Sequence, residues 1–356
     1  MTSLKSRLVV ATAALAAIFA AGIPASAALS NAYTVHPLVS DVVGAAPTHD
    51  GNLVNAWGLV AGPPSTPTPW WVADNGTDVS TLYNGNTGAI VPLVVSVDSA
   101  PTGIVFHNTT ADPTNFVLPT GGAARFIFVT EHGLIRGWNG GTTAQLGLDR
   151  SDVDAIYKGL AIADTASGPR LYAADFHNAR VDVFDGSWNL VPDSGFADPS
   201  LPAGYAPFGI QTIGSRIFVT YAKQDADAED EVAGQGLGFV DVYDTSGNLL
   251  GRVAQHGQLN APWGLALAPS GFGRFGGDLL VGNFGDGQIN AYEELSNGNF
   301  EHRGELRGAD GKSLTVDGLW ALEFGNGGAA GPTGTLFFTA GPDDESHGLF
   351  GSITPG

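Results

Sequence analysis

Three carboxylates in the sequence each follow a short apolar run, and together they could form a metal site. Asp74 follows W-W-V-A, Glu131 follows F-I-F-V-T and Asp175 follows L-Y-A-A. Asn283 ends a fourth run, L-L-V-G. Carboxylate and amide oxygens are the ligands that Ca²⁺ and Mg²⁺ prefer in proteins. If the four runs end at one place in the fold, they predict a divalent-cation site there. The alternative is that each side chain caps the turn that follows it.

A second set of residues stands one position before a recurring glycine and could bind a ligand. The set is Trp57, Thr102, Lys158, Phe208, Trp263 and Asp317, and Tyr221 at the end of its own apolar run joins it. Aromatic rings on a common surface can stack on a sugar, a peptide or another ring, or they can simply fill a channel with apolar bulk. Lys158 lies one repeat after Glu131, so an ion pair between them is expected.

The elements that would position these residues are short strands in a repeated unit. Each unit holds three apolar runs separated by turn residues, which is the pattern of an antiparallel meander. The units span residues 55–97, 101–138, 157–185, 207–244, 260–293 and 316–353. A period of roughly 45–55 residues is typical of propeller blades. The sequence therefore predicts an all-β fold, a six-bladed β-propeller of four-stranded antiparallel blades.

An N-terminal strand is expected to close the ring. Residues 29–43 contain Y-T-V-H-P-L-V, which reads as one strand with no partner nearby in sequence. Pro37 places this strand near a sheet edge. The sixth unit stops after its third strand, so the N-terminal strand can complete it and remove the exposed edge. In such a ring both candidate sets open on one face, where the first strand of each blade begins; this face is called the mouth below.

The repeat resembles known propeller sequences. Residues 157–185 resemble the NHL-type repeat, and the whole chain resembles a family of secreted bacterial propeller proteins. That resemblance rests on Y-A-K-Q-D at 221–225, G-F-V-D-V-Y-D at 238–244, residues 277–287, D-G-L-W-A-L at 317–322 and H-G-L-F-G at 347–351. It implies the fold and export, and it brings no established activity. Six-bladed calcium-dependent lactonases use a similar ring of Glu, Asp and Asn, although analogy of fold does not carry function.

The N-terminus and the composition predict an exported, acidic protein. Lys5 and Arg7, an apolar segment over residues 8–21 and A-S-A at 25–27 form a secretory signal peptide, residues 1–27, before one propeller domain over residues 28–356. The formal charge of −20 becomes −22 without Lys5 and Arg7. This charge argues against nucleic acid and anionic membranes as partners. There is no cysteine, so disulfides and thiolate metal sites are excluded. We expect a monomer without a stable membrane anchor.

Two further features lie near the mouth. The acidic loop, residues 223–236, opens D-A-D-A-E but lacks the glycine and glutamate of an EF-hand, so we expect a solvated insertion or a lid. His132, His177 and His347 fall in turns; they are expected to be exposed turn residues or, alternatively, a metal cluster.

These observations leave three functions open. The leading hypothesis is a secreted module that binds a small molecule, a sugar or a protein at the mouth. The alternative is a lactonase- or esterase-like hydrolase or lyase with Ca²⁺ or another divalent cation on Asp74, Glu131, Asp175 and Asn283. A structural envelope protein is the third. The sequence contains no nucleophile elbow, no H-E-x-x-H motif and no P-loop.

Overall fold

The computed structural model describes Met1 and residues 30–356, and this part of the chain is almost entirely β-structure. The predicted signal peptide therefore lies, apart from Met1, outside the described residues. In the described part no helix is long and apolar enough to cross a membrane. Three short 3-10 helices occur, at Asn75–Thr77, Ser151–Val153 and Gly273–Phe275.

Within residues 30–356, twenty-four strands form six sheets, which are numbered here as blades in chain order. Blade 1 holds β3 (Ala56–Val60), β4 (Trp70–Asp74), β5 (Val79–Tyr83) and β6 (Val95–Ser96). Blade 2 holds β7 (Pro101–Phe106), β8 (Phe126–Thr130), β9 (Leu134–Trp138) and β10 (Gln145–Asp149). Blade 3 holds β11 (Tyr157–Thr165), β12 (Gly168–Asp175) and β13 (Arg180–Asp185). Blade 4 holds β14 (Tyr205–Ile213), β15 (Arg216–Lys223), β16 (Gly238–Asp244) and β17 (Leu249–Gln255). Blade 5 holds β18 (Pro262–Leu267), β19 (Leu279–Asn283), β20 (Ile289–Glu294) and β21 (Phe300–Glu305). Blade 6 holds β22 (Leu319–Phe324), β23 (Leu336–Ala340) and β24 (Leu349–Pro355), together with β1 (Tyr33–Ser40) and β2 (Thr48–His49).

The predicted six-bladed propeller is confirmed. The first strand of each blade contacts the first strand of the next blade, and β22 contacts β3 to complete the ring. Blade 3 departs locally from four strands, because the chain after β13 forms only a bridge between Phe184 and Leu190. Blade 6 departs in the other direction, because the two residues of β2 pair with β1.

The N-terminal strand closes the ring as predicted. β1 pairs antiparallel with β24, from Tyr33 opposite Pro355 to Ser40 opposite Leu349. The register shifts between Pro37 and Val39, which fits a proline near a sheet edge.

The core lies between the blades. Six of the hydrophobic clusters in the described residues each join two neighbouring blades, and a seventh lies at the mouth end of the channel. Large apolar side chains therefore alternate between the two faces of every sheet and pack against both neighbours. This packing fixes the innermost strands rigidly around the axis, where the candidate sites lie.

Candidate functional site

A β-bulge at the same position of every blade aims one side chain toward the channel. The pairing of the first with the second strand shifts register there in all six blades. At this position Gly58 packs so closely on the next blade that a Cβ would overlap the carbonyl oxygen of Thr102. The repeat glycine is therefore a packing requirement. A bulge redirects the neighbouring side chain.

The predicted alignment of the sixth blade is wrong at Asp317. Gly264 packs against the carbonyl oxygen of Trp320 and the nitrogen of Leu322, as Gly58 packs against the next blade. Ala321 therefore takes the place of the repeat glycine in blade 6, and Trp320 precedes it. Asp317 lies outside the channel, is exposed and accepts a hydrogen bond from the backbone of Asp343.

An aromatic plug fills the channel just inside the mouth. The rings of Trp57 and Trp320 stack with centroids 3.6 Å apart. The ring of Phe284 also stacks on Trp320, with centroids 4.1 Å apart. Phe208 and Trp263 meet Trp57 edge-on at 6.4 and 6.2 Å. Of the two alternatives for these aromatic residues, the structure has the apolar filling. No open stacking platform is left among the described residues at this level of the channel.

Lys158 lies above the plug in a cage of acidic groups. Its Nζ is 2.5 Å from a carboxylate oxygen of Glu131, 2.9 Å from one of Asp230 and 5.2 Å from the ring centroid of Trp57. The expected ion pair with Glu131 is therefore confirmed. The side chain of Lys158 is only 1% exposed, so its charge depends on these partners rather than on water.

Burial and neighbouring charges shift the pKa values of Lys158 and the surrounding carboxyl groups in opposite directions. Burial lowers the pKa of Lys158, but the charges of Glu131, Glu231 and Asp230 outweigh it and hold this pKa above its ordinary value. Burial raises the pKa of Glu231 to about 8, although Lys158 opposes the shift. Burial also raises the pKa of Glu345. The cage therefore has more carboxyl groups than one ammonium can balance, and part of it is held protonated.

Of Asp74, Asp175 and Asn283, only Asp175 caps the turn that follows it. Asp74 and Asn283 are held by other contacts, and one side-chain oxygen of each has no hydrogen-bond partner within residues 30–356. Asp74 accepts the backbone N–H of Thr81, and Asp175 accepts the backbone and side-chain N–H groups of Asn178. Asn283 donates to the carbonyl oxygen of Gln258 at 2.8 Å. All three side chains are fully buried. Burial raises the pKa of both aspartates.

Glu131 does not share their position. In blade 2 Thr130 is the residue opposite the start of β7, as Asp74 is opposite the start of β3. The hydroxyl of Thr130 accepts the N–H of Leu134 and so caps the turn. Glu131 follows one residue later, at the mouth, where Asn75 also donates to it at 2.9 Å. In blade 4 the position of Asp74 and Thr130 is taken by Tyr221. Tyr221 is buried, and its hydroxyl lies 2.6 Å from that of Tyr243.

The three mouth histidines are separate. His132 contacts the carbonyl oxygen of Ser99, and His177 that of Ala228. His347 pairs with Asp41 at 2.8 Å, and this hydrogen bond raises the pKa of the imidazole. Within residues 30–356 no group of three or more His, Asp or Glu side chains is arranged to hold a metal ion.

The acidic loop, residues 223–236, lies over the mouth. Gln224 donates to the carbonyl oxygen of Phe176 in blade 3, and Gly234 donates to Asn260 at the start of blade 5. Between them Asp230 reaches down to Lys158. Of the two expectations for this loop, its position corresponds to the lid. Beside it lies an open surface pocket of about 350 Å³, lined by Glu131, His132, His177 and Glu229 among others.

A pocket lies at the opposite end of the channel, where the innermost strands finish; this end is called the wide end. It has a volume of about 570 Å³ and is lined by residues of blades 1, 2, 3, 4 and 6. Its walls include Leu59, Ile104, Phe106 and Phe324, with the paired His107 and Asp112 at its side. A small space of about 30 Å³ continues from it toward the plug.

Glu323 and Gln211 are the polar residues of the inner wall, and the sequence prediction missed both. Each lines the wide end and also the narrow space behind it. The position two residues after the repeat glycine, or after Ala321 in blade 6, is occupied in the six blades by Val60, Val105, Ala161, Gln211, Ala266 and Glu323. Burial alone raises the pKa of Glu323 to about 8. In residues 30–356 its carboxyl group has no recorded hydrogen-bond or ion-pair partner. Glu323 could have been found from the sequence as a carboxylate at a position where four of the other blades have an apolar residue.

Solved structures that resemble this chain share its fold at low sequence identity. A structural genomics protein of unknown function from Bacteroides thetaiotaomicron matches with a TM-score of 0.57 and 11% identity, over 90% of this chain and 76% of that one. A glucose dehydrogenase matches with a TM-score of 0.58 and 11% identity, over 91% of this chain and 99% of that one. At this identity the likeness shows the propeller fold alone.

Two sequence relatives are proteins of Acanthamoeba polyphaga mimivirus. No family model matches the chain. Uncharacterized protein R648 of Acanthamoeba polyphaga mimivirus is 32% identical over 343 residues, 90% of this chain and 80% of the relative. Uncharacterized protein L690 of the same virus is 31% identical over 331 residues, 85% of this chain and 81% of the relative. The predicted resemblance is confirmed for the propeller, while the bacterial source and the export of the family stay predictions. The chain belongs to the same family as the mimivirus proteins R648 and L690.

Proposed function

We propose that this protein is a binding module that takes a small ligand into the wide end of its central channel. The observation that carries the proposal is the pocket of about 570 Å³ with Glu323 on its inner wall. Pockets of about 300–1,000 Å³ with apolar walls and a few polar groups are typical small-molecule sites. Rigid strands from five blades hold these walls, so little ordering is needed when a ligand binds.

The mouth is a weaker place for the ligand than the sequence suggested. Trp57 and Trp320 are nearly unexposed and stacked on each other, so a ligand would have to displace them. Lys158 is already paired with Glu131 and Asp230. Opening this region would break a buried ion pair and expose aromatic surface, and both steps cost free energy.

The hydrolase alternative is less well supported by the same arrangement. A metal on Asp74 and Asp175 would have to compete with the backbone N–H groups that these carboxylates accept, whereas the amide oxygen of Asn283 has no partner within residues 30–356. Glu131 would have to give up Lys158. Binding at the wide end requires no such rearrangement.

Blocking the wide end should abolish binding, whereas the same change at the mouth should not. Ala111 is exposed and lines the wide end, and Ala226 is exposed in the acidic loop at the mouth. We expect fragments from a library of small organic molecules to bind the native protein. Ala111→Trp should weaken them at least about tenfold, a loss of roughly 1.4 kcal/mol.

Binding is measured by protein-detected NMR titration, and the matched control is Ala226→Trp, which should bind normally. Equal affinity in the Ala111→Trp variant and the native protein, or a loss only in Ala226→Trp, would contradict the proposal and return the site to the mouth.

A further inference from the structure

Glu323 is a carboxyl group with an unusual placement for a structural residue. It is on the innermost strand β22, and its equivalents in blades 1, 2, 3 and 5 are valine or alanine. No hydrogen bond or ion pair to it is recorded within residues 30–356, and it faces both the wide end and the space behind it. Glu323 is half-buried, and a carboxyl group that is partly desolvated without a partner destabilises a fold. A partner supplied by a ligand would offset that cost.

The charged groups around Glu323 determine whether such a ligand should be an anion or a cation. The titratable side chains of the wide end are Glu323, Asp112, Asp164 and His107, and its lining contains no lysine or arginine. Asp112 is paired with His107 at 3.3 Å, and Asp164 is exposed at the rim. Arg125 lies 5.7 Å from the ring centroid of Phe106, but it is exposed and does not line the pocket. An anionic ligand would meet Asp112 and Asp164 without a lysine or arginine to balance it, whereas a cation can pair with Glu323 once that carboxyl group gives up its proton.

The walls select the rest of the ligand. Leu59 and Ile104 line both the pocket and its inner extension, and the rings of Phe106 and Phe324 stand nearer the rim. Aliphatic and aromatic walls favour an apolar body, and aromatic rings also attract a cation. Gln211 can accept or donate a hydrogen bond beside Glu323.

We propose that the ligand of the wide end is a small organic cation with an apolar body, whose ammonium group pairs with Glu323. This inference rests on the proposed function, because it names the ligand class of the same site.

Pairing with a cation requires the ionised carboxylate, and this couples binding to proton release. Burial raises the pKa of Glu323 to about 8, so near neutral pH the empty site holds the carboxyl proton. A bound ammonium favours the carboxylate and expels that proton. Close to one proton should therefore leave for each cation bound at pH 6–7, and the affinity should rise with pH by up to about tenfold per unit below the pKa.

Three probes with one phenyl body and different head groups test the inference: benzylamine, benzyl alcohol and benzoate. Isothermal titration calorimetry of the full chain gives each affinity, and titrations in two buffers of different ionisation enthalpy give the proton release. We expect benzylamine to bind at least about tenfold more tightly than the other two. Glu323→Gln should lose that preference while its affinity for benzyl alcohol is kept. The control Glu301→Gln removes an exposed carboxylate on the outer strand β21 and should behave like the native protein.

The outcomes separate the two proposals. Benzyl alcohol or benzoate binding as tightly as benzylamine, with a loss in Ala111→Trp, would overturn the cation inference and leave the binding site in place. Benzylamine binding without proton release, or unchanged by Glu323→Gln, would also overturn it. No probe binding at millimolar concentration overturns the cation inference, and if the fragment library also fails, the proposed function falls with it.

Discussion

Replacing Lys158 by methionine should lower the free energy of unfolding by about 1.5–3 kcal/mol, the usual contribution of hydrogen bonds to a charged group, because the carboxylates left behind are partly exposed. The ammonium group is 1% exposed and holds Glu131 and Asp230 together over the plug. Methionine fills a similar volume but leaves Glu131 and Asp230 without their cation. Urea unfolding followed by tryptophan fluorescence measures the loss.

Two further variants make this prediction specific to the charge. Lys223→Met removes an exposed lysine at the edge of the acidic loop and should change stability by less than about 0.5 kcal/mol. The double change Lys158→Met with Glu131→Gln should be more stable than Lys158→Met alone, because one unpaired carboxylate is removed as well. A Lys158→Met protein as stable as Lys223→Met would show that the cage does not stabilise the mouth.

Replacing Glu323 by glutamine should remove a large pH dependence of stability. The pKa of this carboxyl group is about 8 in the folded protein against an ordinary 4.5. A raised carboxyl pKa contributes stability that is fully present below the ordinary value and is lost as the pH rises through the folded-state value. The native protein should therefore lose up to about 1.4 kcal/mol per pH unit between roughly pH 5 and pH 8 because of this one group.

The test compares the two proteins across that window. The difference in the free energy of unfolding between Glu323→Gln and the native protein should grow in favour of the variant from pH 5 to pH 8. Glu231 and Glu345 titrate in both proteins and cancel in the difference. Glu301→Gln, with the same change in net charge, should track the native protein. Parallel profiles for Glu323→Gln and the native protein would mean that this carboxyl group is not desolvated.

The fold could be predicted because its signals are local and repeated. Turn glycines and apolar runs recur in each unit, and the unpaired strand β1 has a clear vacancy beside β24. The three-stranded form of blade 3 could not be predicted from the same signals. There the chain after β13 forms only the bridge from Phe184 to Leu190, and a single bridge leaves no periodic pattern.

The site was predicted less well because a bulge adds a residue that periodicity does not reveal. D-G at 317–318 looks like the repeat glycine, but Gly318 has a φ of +62° and forms a turn. Ala321 is the true equivalent, and Trp320 was missed for this reason. In blade 2, Thr130 occupies the strand position that Asp74 occupies in blade 1 and Asp175 in blade 3, and Glu131, which was assigned to this position, lies one residue later.

The wide end was missed for a different reason. Glu323 lies within the apolar run of an inner strand, and a single carboxylate there has no motif around it. Its meaning depends on the corrected alignment, which sets it against Val60 and Val105, and on the size of the pocket that it faces. Neither the corrected alignment nor the size of the pocket can be read from the spacing of residues along the chain.

A crystal structure of the protein soaked in benzylamine would test the central claim most directly. The account predicts electron density for the phenyl ring between the apolar walls of the wide end, with the ammonium nitrogen within hydrogen-bonding distance of the Glu323 carboxylate. Density only at the mouth, beside Glu131 and His177 under the acidic loop, would contradict it.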